Sequence, residues 1–313
     1  MTSRPGYLGI DIGGTKVALR AEHDGTEREG TSIRGAVTHT WAPGPGGAAD
    51  LAALGGWVRE FAAGTGGFTA VGVAVPATVD ADGRVTAWPS RPGWLGLDLG
   101  AALRAFLPGV PVAWSDDGGL GALAEAAASG CDDVLYVGVG TGVGGGLVLG
   151  GVPHPRPGRP AFEIGHLIVR RGGPRCRCGR TGCLQATACG PAVLRRAARL
   201  RGAPVTFDEL RAGVSAKEAW ATRAVDDAGA ALASAVVGVT ELLHPELALI
   251  GGGFAAGVPG FVDAVDTAVR RLARTGFDVP RVRAAAADGL SSLRGALRLA
   301  RSLDGRRTSE ELP

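Results

Sequence analysis

The chain has 313 residues, 45% of them hydrophobic, which suffices for two domains or one large domain with a sizeable core. Its formal net charge of +3 is small and is not gathered in one block, which argues against nucleic acid as a partner. No apolar run is long enough to span a membrane, and Met1–Gly6 has no signal-peptide core, so we expect a cytoplasmic protein with reduced thiols.

The first half of the chain alternates extended and helical patterns. Two apolar runs, 7–12 and 17–21, flank a glycine pair and predict a β-hairpin. A buried strand over 71–75 precedes a helix that Asp98 caps. The short strand that follows leads into an alanine-rich helix, which we expect to end near residue 128.

The second half repeats this organisation. Strands over 134–139 and 145–149 flank another glycine-rich turn, and they precede a long helical pattern, a strand and two more helical patterns, at 216–244, 247–250, 261–273 and 290–303. The repeat predicts a duplicated α/β fold with a cleft between its halves. We assign residues 1–117 to an N-terminal domain, completed by the C-terminal helix 289–303, and residues 118–288 to a C-terminal domain.

The turn of the first hairpin combines residues suited to a phosphate group. Gly13 and Gly14 allow backbone amides to approach an anion, Thr15 offers a hydroxyl, and Lys16 offers a positive charge. Asp11, at the end of the strand, is suited to holding Mg²⁺ through water. An ordinary hairpin turn in a glycine-rich protein explains the same residues, and the loop alone does not decide between the two.

Two further glycine-rich turns stand at equivalent positions in the second half. Gly140, Thr141 and Gly142 follow one strand, and Gly252 and Gly253 follow another. Neither turn matches the Walker pattern or a good dinucleotide fingerprint. We expect the Gly140–Gly142 turn to contact a polyphosphate, and Gly252 and Gly253 to contact a nucleoside.

A cluster of metal-ligand residues is the strongest local signal. Cys176, Cys178 and Cys183 place three thiolates within eight residues, and His166 stands ten residues upstream. This composition predicts a tetrahedral Zn²⁺ site of the Cys₃His type. With four protein ligands the zinc is structural, and we expect it to fix His166 and a strand carrying Glu163.

In this order and spacing, the residues resemble the ROK family of sugar kinases and sugar-responsive repressors over nearly the whole chain. The segments that carry the resemblance are Asp11–Lys16, the Trp94 region, Asp116–Glu125, Gly140–Gly146, Glu163–His166, the cysteine loop and Gly251–Gly253. The resemblance implies an actin-like, ribonuclease-H-like ATPase fold in both halves, ATP and Mg²⁺ on the glycine loops, a pyranose in the cleft, and a homodimer.

The resemblance also implies roles for individual residues. Asp116 is similar to the general base that accepts the proton of the attacking hydroxyl. Glu163 and His166 are similar to residues that bind sugar hydroxyls, with the second ring nitrogen of His166 on zinc. Asp116 is also suited to cap the following helix, and the two roles are compatible. A solvated charge is the less favoured alternative for Glu163, because Glu163 precedes His166 by three residues.

Three segments depart from the family pattern. Ser115-Asp116-Asp117-Gly118 stands where the family has Asn-Asp-Ala-Asn, Gln185 stands where it has Glu, and Ala77 replaces the glycine of Val-Pro-Gly. Ser115 is too short for the bidentate contact of an asparagine. These changes at sugar-binding positions are as compatible with a sugar that differs from glucose near C3, with Asp117 meeting an ammonium group, as they are with glucose. Glucose or an acetamido sugar with altered contacts is the alternative.

We therefore expect phosphorylation, at O6, of glucose or an analogue such as 3-amino-3-deoxyglucose. An N-acylated hexosamine kinase and a C7-cyclitol kinase are the nearest alternatives, and a non-catalytic sugar sensor is the alternative of another class. Asp11, Lys16, Thr141 and Asp116 argue against the sensor. Only ten residues precede Asp11, so we expect no helix-turn-helix repressor module. The phosphoryl donor stays open between ATP and polyphosphate.

Overall fold

The computed structural model describes residues 6–23, 36–44, 46–65, 67–155, 161–286 and 290–310, with side chains described up to Leu303. These residues form two compact units. Unit 1 holds the described residues up to Ala124, Ala161 and those from Ser292 onward, and unit 2 holds the described residues of Glu125–Pro155 and Phe162–Ser291. The domain boundaries expected from the sequence stay a prediction, because compactness does not test which segments fold independently.

Both units combine strands and helices. In chain order they are β1 (Gly6–Ile12), β2 (Lys16–His23), β3 (Val37–Thr40), α1 (Ala48–Thr65), β4 (Ala70–Ala74), β5 (Thr78–Val79), β6 (Val85–Ala87), α2 (Leu99–Phe106), β7 (Val112–Ser115), α3 (Asp117–Ser129), β8 (Val134–Val139), β9 (Val143–Leu149), β10 (Val152–His154), α4 (Leu184–Ala188), α5 (Gly190–Arg201), α6 (Phe207–Ser215), α7 (Ala219–Leu243), β11 (Leu247–Gly251), α8 (Gly253–Gly257), α9 (Phe261–Arg271), β12 (Arg281–Ala284) and α10 (Ser291–Glu310).

Unit 1 is built on a five-stranded sheet of order β3-β2-β1-β4-β7. The hairpin strands β1 and β2 are antiparallel, while β4 and β7 run parallel to β1. β1 and β4 are buried nearly throughout, as expected for strands covered on both faces. The register aligns Asp11 with Ala74 and Ala74 with Ser115, so the carboxyl ends of these three strands form one edge.

Helix α10 packs on this sheet, because a Cβ added to Gly9 of β1 would collide with Leu297 and one added to Gly72 of β4 with the carbonyl oxygen of Ala296. It also contacts α3 so closely that a Cβ added to Gly295 would collide with the carbonyl oxygen of Leu120. The helix therefore belongs to the core of unit 1 although it is the last element of the chain.

Unit 2 repeats the strand order, as β10-β9-β8-β11-β12. Again an antiparallel hairpin, β8 with β9, is extended by parallel strands, here β11 and β12. The long helix α7 lies in the core with many small buried residues, which let neighbouring helices approach its backbone. The predicted duplicated α/β organisation is thus confirmed.

The structure corrects the sequence reading between residues 205 and 220. Helix α6 was not predicted, although Thr206 and Glu209 form the capping box typical of a helix start. The long helix begins at Ala219, after Lys217 adopts a positive φ of 57° and separates the two helices. Over the described residues, none of the helices combines the length and apolarity needed to cross a bilayer.

The close contact between Gly295 and Leu120 predicts that a side chain added at Gly295 destabilises the protein. Gly295→Ala forces α10 away from α3, and we expect unfolding free energy to fall by about 1–3 kcal/mol. Gly56→Ala is the matched control, because Gly56 is also helical and an added Cβ there meets nothing within 4 Å. That control should be neutral or stabilising by up to about 1 kcal/mol. Urea unfolding compares the variants, and equal stability of the two would contradict the packing described.

Candidate functional site

The turn between β1 and β2 has the conformation of a tight hairpin. The amide of Gly13 donates to the carbonyl oxygen of Lys16 at 2.8 Å and closes the turn. The side chains of Thr15 and Lys16 are exposed, whereas Gly13 and Gly14 are partly buried. Within the described residues, the amides of Gly14 and Thr15 donate to no protein acceptor. They are therefore available to an anion.

The carbonyl groups of the same turn are held from inside unit 1. The indole nitrogen of Trp41 donates to the Gly13 oxygen at 2.8 Å, and its backbone amide donates to the Thr15 oxygen at 3.1 Å. Arg91 Nη1 donates to the Gly14 oxygen at 3.0 Å. The sequence reading missed both contacts. Trp41 and Arg91 are 28 and 77 residues away in sequence from the glycines that they contact, so no local pattern indicates these contacts.

Arg91 is itself held by a buried carboxylate. Its Nε donates to Asp50 Oδ2 at 2.8 Å, its Nη2 lies 2.7 Å from the same oxygen, and the Trp94 indole donates to that oxygen at 2.8 Å. The backbone at Gly46 crosses above this group with φ of +82°, where a side chain would collide with Asp50. The ion pair is therefore shielded from water, which strengthens its hydrogen bonds.

Asp11 lies at the end of β1, beside the turn. Burial raises the pKa of Asp11 to about 7, and the negative charge of Asp117 adds to the rise, while Lys16 opposes it. Asp117 thus acts electrostatically on Asp11. A cation placed beside Asp11 favours its charged form.

Asp116 follows the last residue of β7, Ser115, which lies in register with Ala74 on the neighbouring strand. Asp116 Oδ2 accepts a hydrogen bond from the amide of Gly119 at 2.7 Å and so caps helix α3. The capping role considered from the sequence is therefore present. Because the cap fixes the orientation of the carboxylate, it is compatible with a catalytic role.

In unit 2, the turn Gly140–Gly142 connects β8 to β9. The Gly140 amide donates to the Gly142 oxygen at 2.9 Å, and the Gly140 oxygen accepts from the amide of Gly190 at 2.8 Å. Gln185 supports the same turn, because its Oε1 accepts from the amide of Val143 at 3.1 Å. Gln185, a predicted sugar-binding residue, thus already contacts the second glycine turn.

The third glycine segment lies beside the second. Gly252 follows β11 with φ of +87°, and a Cβ added to it would collide with the backbone of Val139 at the end of β8. Gly253 begins the short helix α8. Unit 2 therefore brings the two predicted nucleotide segments to the same edge of its sheet, since β8 and β11 are parallel neighbours.

The four predicted metal ligands lie together. The ligand atoms of His166, Cys176, Cys178 and Cys183 all lie within 4.8 Å of one another. His166 Nδ1 is 3.7 Å from Cys176 Sγ, and the sulfurs of Cys178 and Cys183 are 3.6 Å apart. Cys178 is exposed and the other two cysteines are buried. Burial raises the pKa of the Cys183 thiol to about 11, and the neighbouring cysteines add to this rise.

His166 has its two ring nitrogens in different surroundings. Nδ1 faces the cysteines, whereas Nε2 lies 3.9 Å from Glu163 Oε2, whose side chain is 62% exposed. We had expected Glu163 to lie on a strand, and this prediction is wrong. It precedes a 3₁₀ turn, Ile164–His166, which forms because the His166 amide donates back to the Glu163 oxygen at 2.9 Å. The turn places the carboxylate and the imidazole on the same side.

A model of the ROK family matches residues 7–302 of this chain. The chain belongs to the ROK family. The relationship expected from the glycine turns, the Asp116 region and the cysteine loop is therefore confirmed.

Individual ROK proteins resemble the chain over nearly its whole length. Kanosamine kinase of Amycolatopsis mediterranei is 54% identical over 297 residues, which are 95% of this chain and 96% of that protein. The structure of a ROK hexokinase from Thermus thermophilus superposes with a TM-score of 0.79 at 31% identity, covering 96% of this chain and 99% of that one.

A ROK glucokinase from Streptomyces griseus, solved with glucose and AMPPNP, gives a TM-score of 0.80 at 25% identity, covering 95% of this chain and 99% of that one. These neighbours confirm the predicted actin-like ATPase fold.

Within this ROK fold, the predicted residues gather in each unit separately. Unit 1 holds the first glycine turn and the Asp116 region at the edge where β1, β4 and β7 end. Unit 2 holds the other two glycine segments with Gln185, and also the cysteine cluster with His166. The site assignments stay predictions about ligand contacts.

Proposed function

We propose that this ROK protein transfers the γ-phosphoryl group of ATP to the C6 hydroxyl of kanosamine, which is 3-amino-3-deoxyglucose. The enzyme class is a sugar kinase, as the sequence predicted, and the kanosamine kinase relative carries this assignment. The single observation behind the substrate is that 54% identity extends over 95% of the chain. The identity to a glucokinase of Thermotoga maritima is 32% and covers only 58% of the chain.

The departures from the family pattern support an amino sugar. Ser115 replaces an asparagine that spans two hydroxyls, and Gln185 replaces a glutamate, so the ring hydroxyls of glucose lose familiar partners. Asp117 introduces a carboxylate one residue after Asp116. A charged carboxylate stabilises a nearby ammonium more than a neutral hydroxyl. A site of this composition favours a sugar with an amino group.

Asp116 is the proposed general base. Its carboxylate is oriented by the Gly119 amide at 2.7 Å, and an oriented carboxylate can accept the proton of the attacking hydroxyl. Phosphoryl transfer needs little covalent participation by the protein, so positioning and charge stabilisation supply most of the acceleration. Glu163 and His166 Nε2 are proposed to bind hydroxyls of the same sugar.

The nucleotide is assigned to the glycine segments. The amides of Gly14 and Thr15 and the charge of Lys16 suit its phosphates, and Asp11 suits Mg²⁺ held through water. Bound Mg²⁺ supplies neutralisation of the charge that develops on the phosphoryl oxygens. Gly140, Thr141 and Gly142 are proposed to contact the phosphates, and Gly252 and Gly253 the nucleoside. Polyphosphate is the alternative donor.

The cysteine cluster fits a structural zinc ion. Bonds of about 2.3 Å to sulfur and about 2.0 Å to nitrogen imply tetrahedral edges of about 3.8 Å between sulfurs and about 3.5 Å from sulfur to nitrogen. The observed 3.6 Å between Cys178 and Cys183 and 3.7 Å between Cys176 and His166 are close to these values. With all four positions filled by protein, the ion stabilises the loop and orients His166.

The use of ATP and the need for reduced thiols in the cluster favour the cytoplasm. A homodimer, with no nucleic-acid or membrane partner, completes the proposal, and sedimentation analysis tests the dimer.

The sugar specificity is the direct test. With ATP as donor, we expect kcat/KM for kanosamine to exceed that for glucose and N-acetylmannosamine by at least about tenfold, because Ser115 and Gln185 lack the family's contacts to hydroxyls. Phosphate position is read by NMR of the product. A preference for glucose would overturn the assignment of kanosamine. Binding of sugar without turnover would favour the non-catalytic sensor instead.

The role of Asp116 predicts a loss of turnover without a loss of folding. Asp116→Asn keeps a good helix cap but cannot accept a proton, so we expect kcat to fall by about 10²–10⁴-fold while sugar binding persists. Asp98→Asn is the matched control, because Asp98 caps α2 through the same kind of bond, at 2.8 Å to Ala101. Steady-state kinetics and calorimetric sugar binding distinguish the two, and unchanged turnover in Asp116→Asn would remove Asp116 from the mechanism.

The zinc assignment has a test that does not depend on activity. Elemental analysis of the purified protein should give about one zinc per chain, and Cys178→Ser should lose it and melt at a lower temperature. Cys131→Ser is the control, because Cys131 is a free thiol outside the cluster. Zinc content that is zero in the unaltered protein, or equal in both variants, would contradict a structural zinc.

A further inference from the structure

The glycine pair of the first turn does not by itself fix the orientation of the peptide between Gly13 and Gly14. Glycine accepts positive and negative φ about equally, so the peptide between Gly13 and Gly14 has little intrinsic preference for either orientation. In a trans peptide the carbonyl and the amide point in opposite directions. If this peptide rotates, the Gly14 amide turns from the exposed face of the loop towards the interior and cannot bind a phosphate.

We propose that Trp41 and Arg91 are positioning residues that fix the direction of the phosphate-binding amides by holding the carbonyls of Gly13 and Gly14. This inference rests on the proposed function, since it concerns the nucleotide of the kinase. Trp41 Nε1 holds the Gly13 oxygen at 2.8 Å, and Arg91 Nη1 holds the Gly14 oxygen at 3.0 Å. The amides of the same two peptides belong to Gly14 and Thr15, so each faces away from its anchor.

Burial of the anchors decides which face the amides adopt. Trp41 is 5% exposed and Arg91 is 4% exposed, so both lie beneath the turn. The amides therefore face the exposed side, where the side chains of Thr15 and Lys16 also lie. Neither amide has a protein acceptor among the described residues. The turn therefore presents two hydrogen-bond donors to an anion without breaking a hydrogen bond of the hairpin.

Each anchor is supported by further buried groups, and the two anchors also contact each other. Asp50 holds the Arg91 guanidinium through Oδ2, and Trp94 donates to the same oxygen. Trp41 packs edge-on against Trp94 with ring centroids 5.9 Å apart, and the Arg91 guanidinium lies 5.0 Å from the Trp41 ring. The two anchors thus share one rigid support. Rotation of either peptide requires loss of the hydrogen bond that its carbonyl oxygen accepts from Trp41 or Arg91.

The same cluster provides a matched control. Trp88 is 4% exposed and packs on Trp94 at 4.8 Å, but its indole nitrogen has no hydrogen-bond partner among the described residues. Trp41→Phe and Trp88→Phe therefore remove the same atoms from the same buried cluster. Only the first removes an anchor of the turn.

The experiment compares these two variants. We expect Trp41→Phe to raise KM for ATP and the Kd of Mg·ATP about tenfold, the loss of one well-placed hydrogen bond, while KM for the sugar stays within about twofold. Trp88→Phe should leave both constants within about twofold of the unaltered protein. Melting temperatures of the two variants measure the shared packing loss.

A second variant keeps the inference testable if Trp41→Phe does not fold. Arg91→Lys preserves a positive charge for Asp50 but lacks the fork that reaches Asp50 and Gly14 together. It should also raise the Kd of Mg·ATP about tenfold and leave KM for the sugar little changed. Arg91→Ala is unsuitable, because it leaves Asp50 as an unpaired buried charge.

The outcomes separate the anchoring role from the kinase activity. Equal effects of Trp41→Phe and Trp88→Phe, or a rise in KM for the sugar as large as that for ATP, would overturn the anchoring role. If the unaltered protein phosphorylates no sugar, the proposed function fails, and calorimetric binding of Mg·ATP by the variants still decides the role of the anchors. Unaltered protein that binds no Mg·ATP overturns both.

Discussion

A loop that binds phosphate through its backbone must keep its amides unused by the fold and still hold them in one direction. In the β1–β2 turn the two demands are met by different parts of the same peptides. The carbonyls of Gly13 and Gly14 are bonded to the interior, and the amides that follow them have no protein acceptor among the described residues. Because the peptide is planar and trans, fixing one end fixes the other.

The buried ion pair between Arg91 and Asp50 contributes to holding this turn. An isolated pair such as Arg91–Asp50 contributes little net stability, because its desolvation offsets its attraction. Arg91 nevertheless has donors to spare after Asp50 is satisfied, and one of them reaches the Gly14 oxygen. The pair thus holds a rigid donor beneath the turn, a task that an apolar replacement of the same volume cannot perform.

Unit 2 has the same strand order but a different support for its glycine turn. The Gly140–Gly142 turn is held by the Gly190 amide and by the side-chain oxygen of Gln185. Gln185 follows Cys183 by two residues, so the support of the turn is continuous along the chain with the cysteine cluster. A metal ion in that cluster would therefore restrict not only His166 but also the segment that carries Gln185.

Local patterns were predictable and long-range contacts were not. The hairpins follow from alternation and a glycine pair, and the cysteine cluster follows from spacing within eight residues, so both could be predicted. Helix α6 was missed although its capping box is local. The contact of Arg91 with Gly14 spans 77 residues and leaves no trace in a single sequence. The strand expected at Glu163 was wrong, since a backbone bond from His166 makes a turn there.

The distribution of acidic residues supports the proposed amino-sugar substrate. Compared with the family pattern, one negative charge is lost at Gln185 and one is gained at Asp117. After burial, the gained charge is the second cause of the raised pKa of Asp11. The charge of Asp117, just after β7, therefore acts on Asp11 near the end of β1, and the charge of Lys16 acts in the opposite direction. In the proposed function, this edge of the sheet would suit a sugar that carries a positive charge better than it would suit glucose.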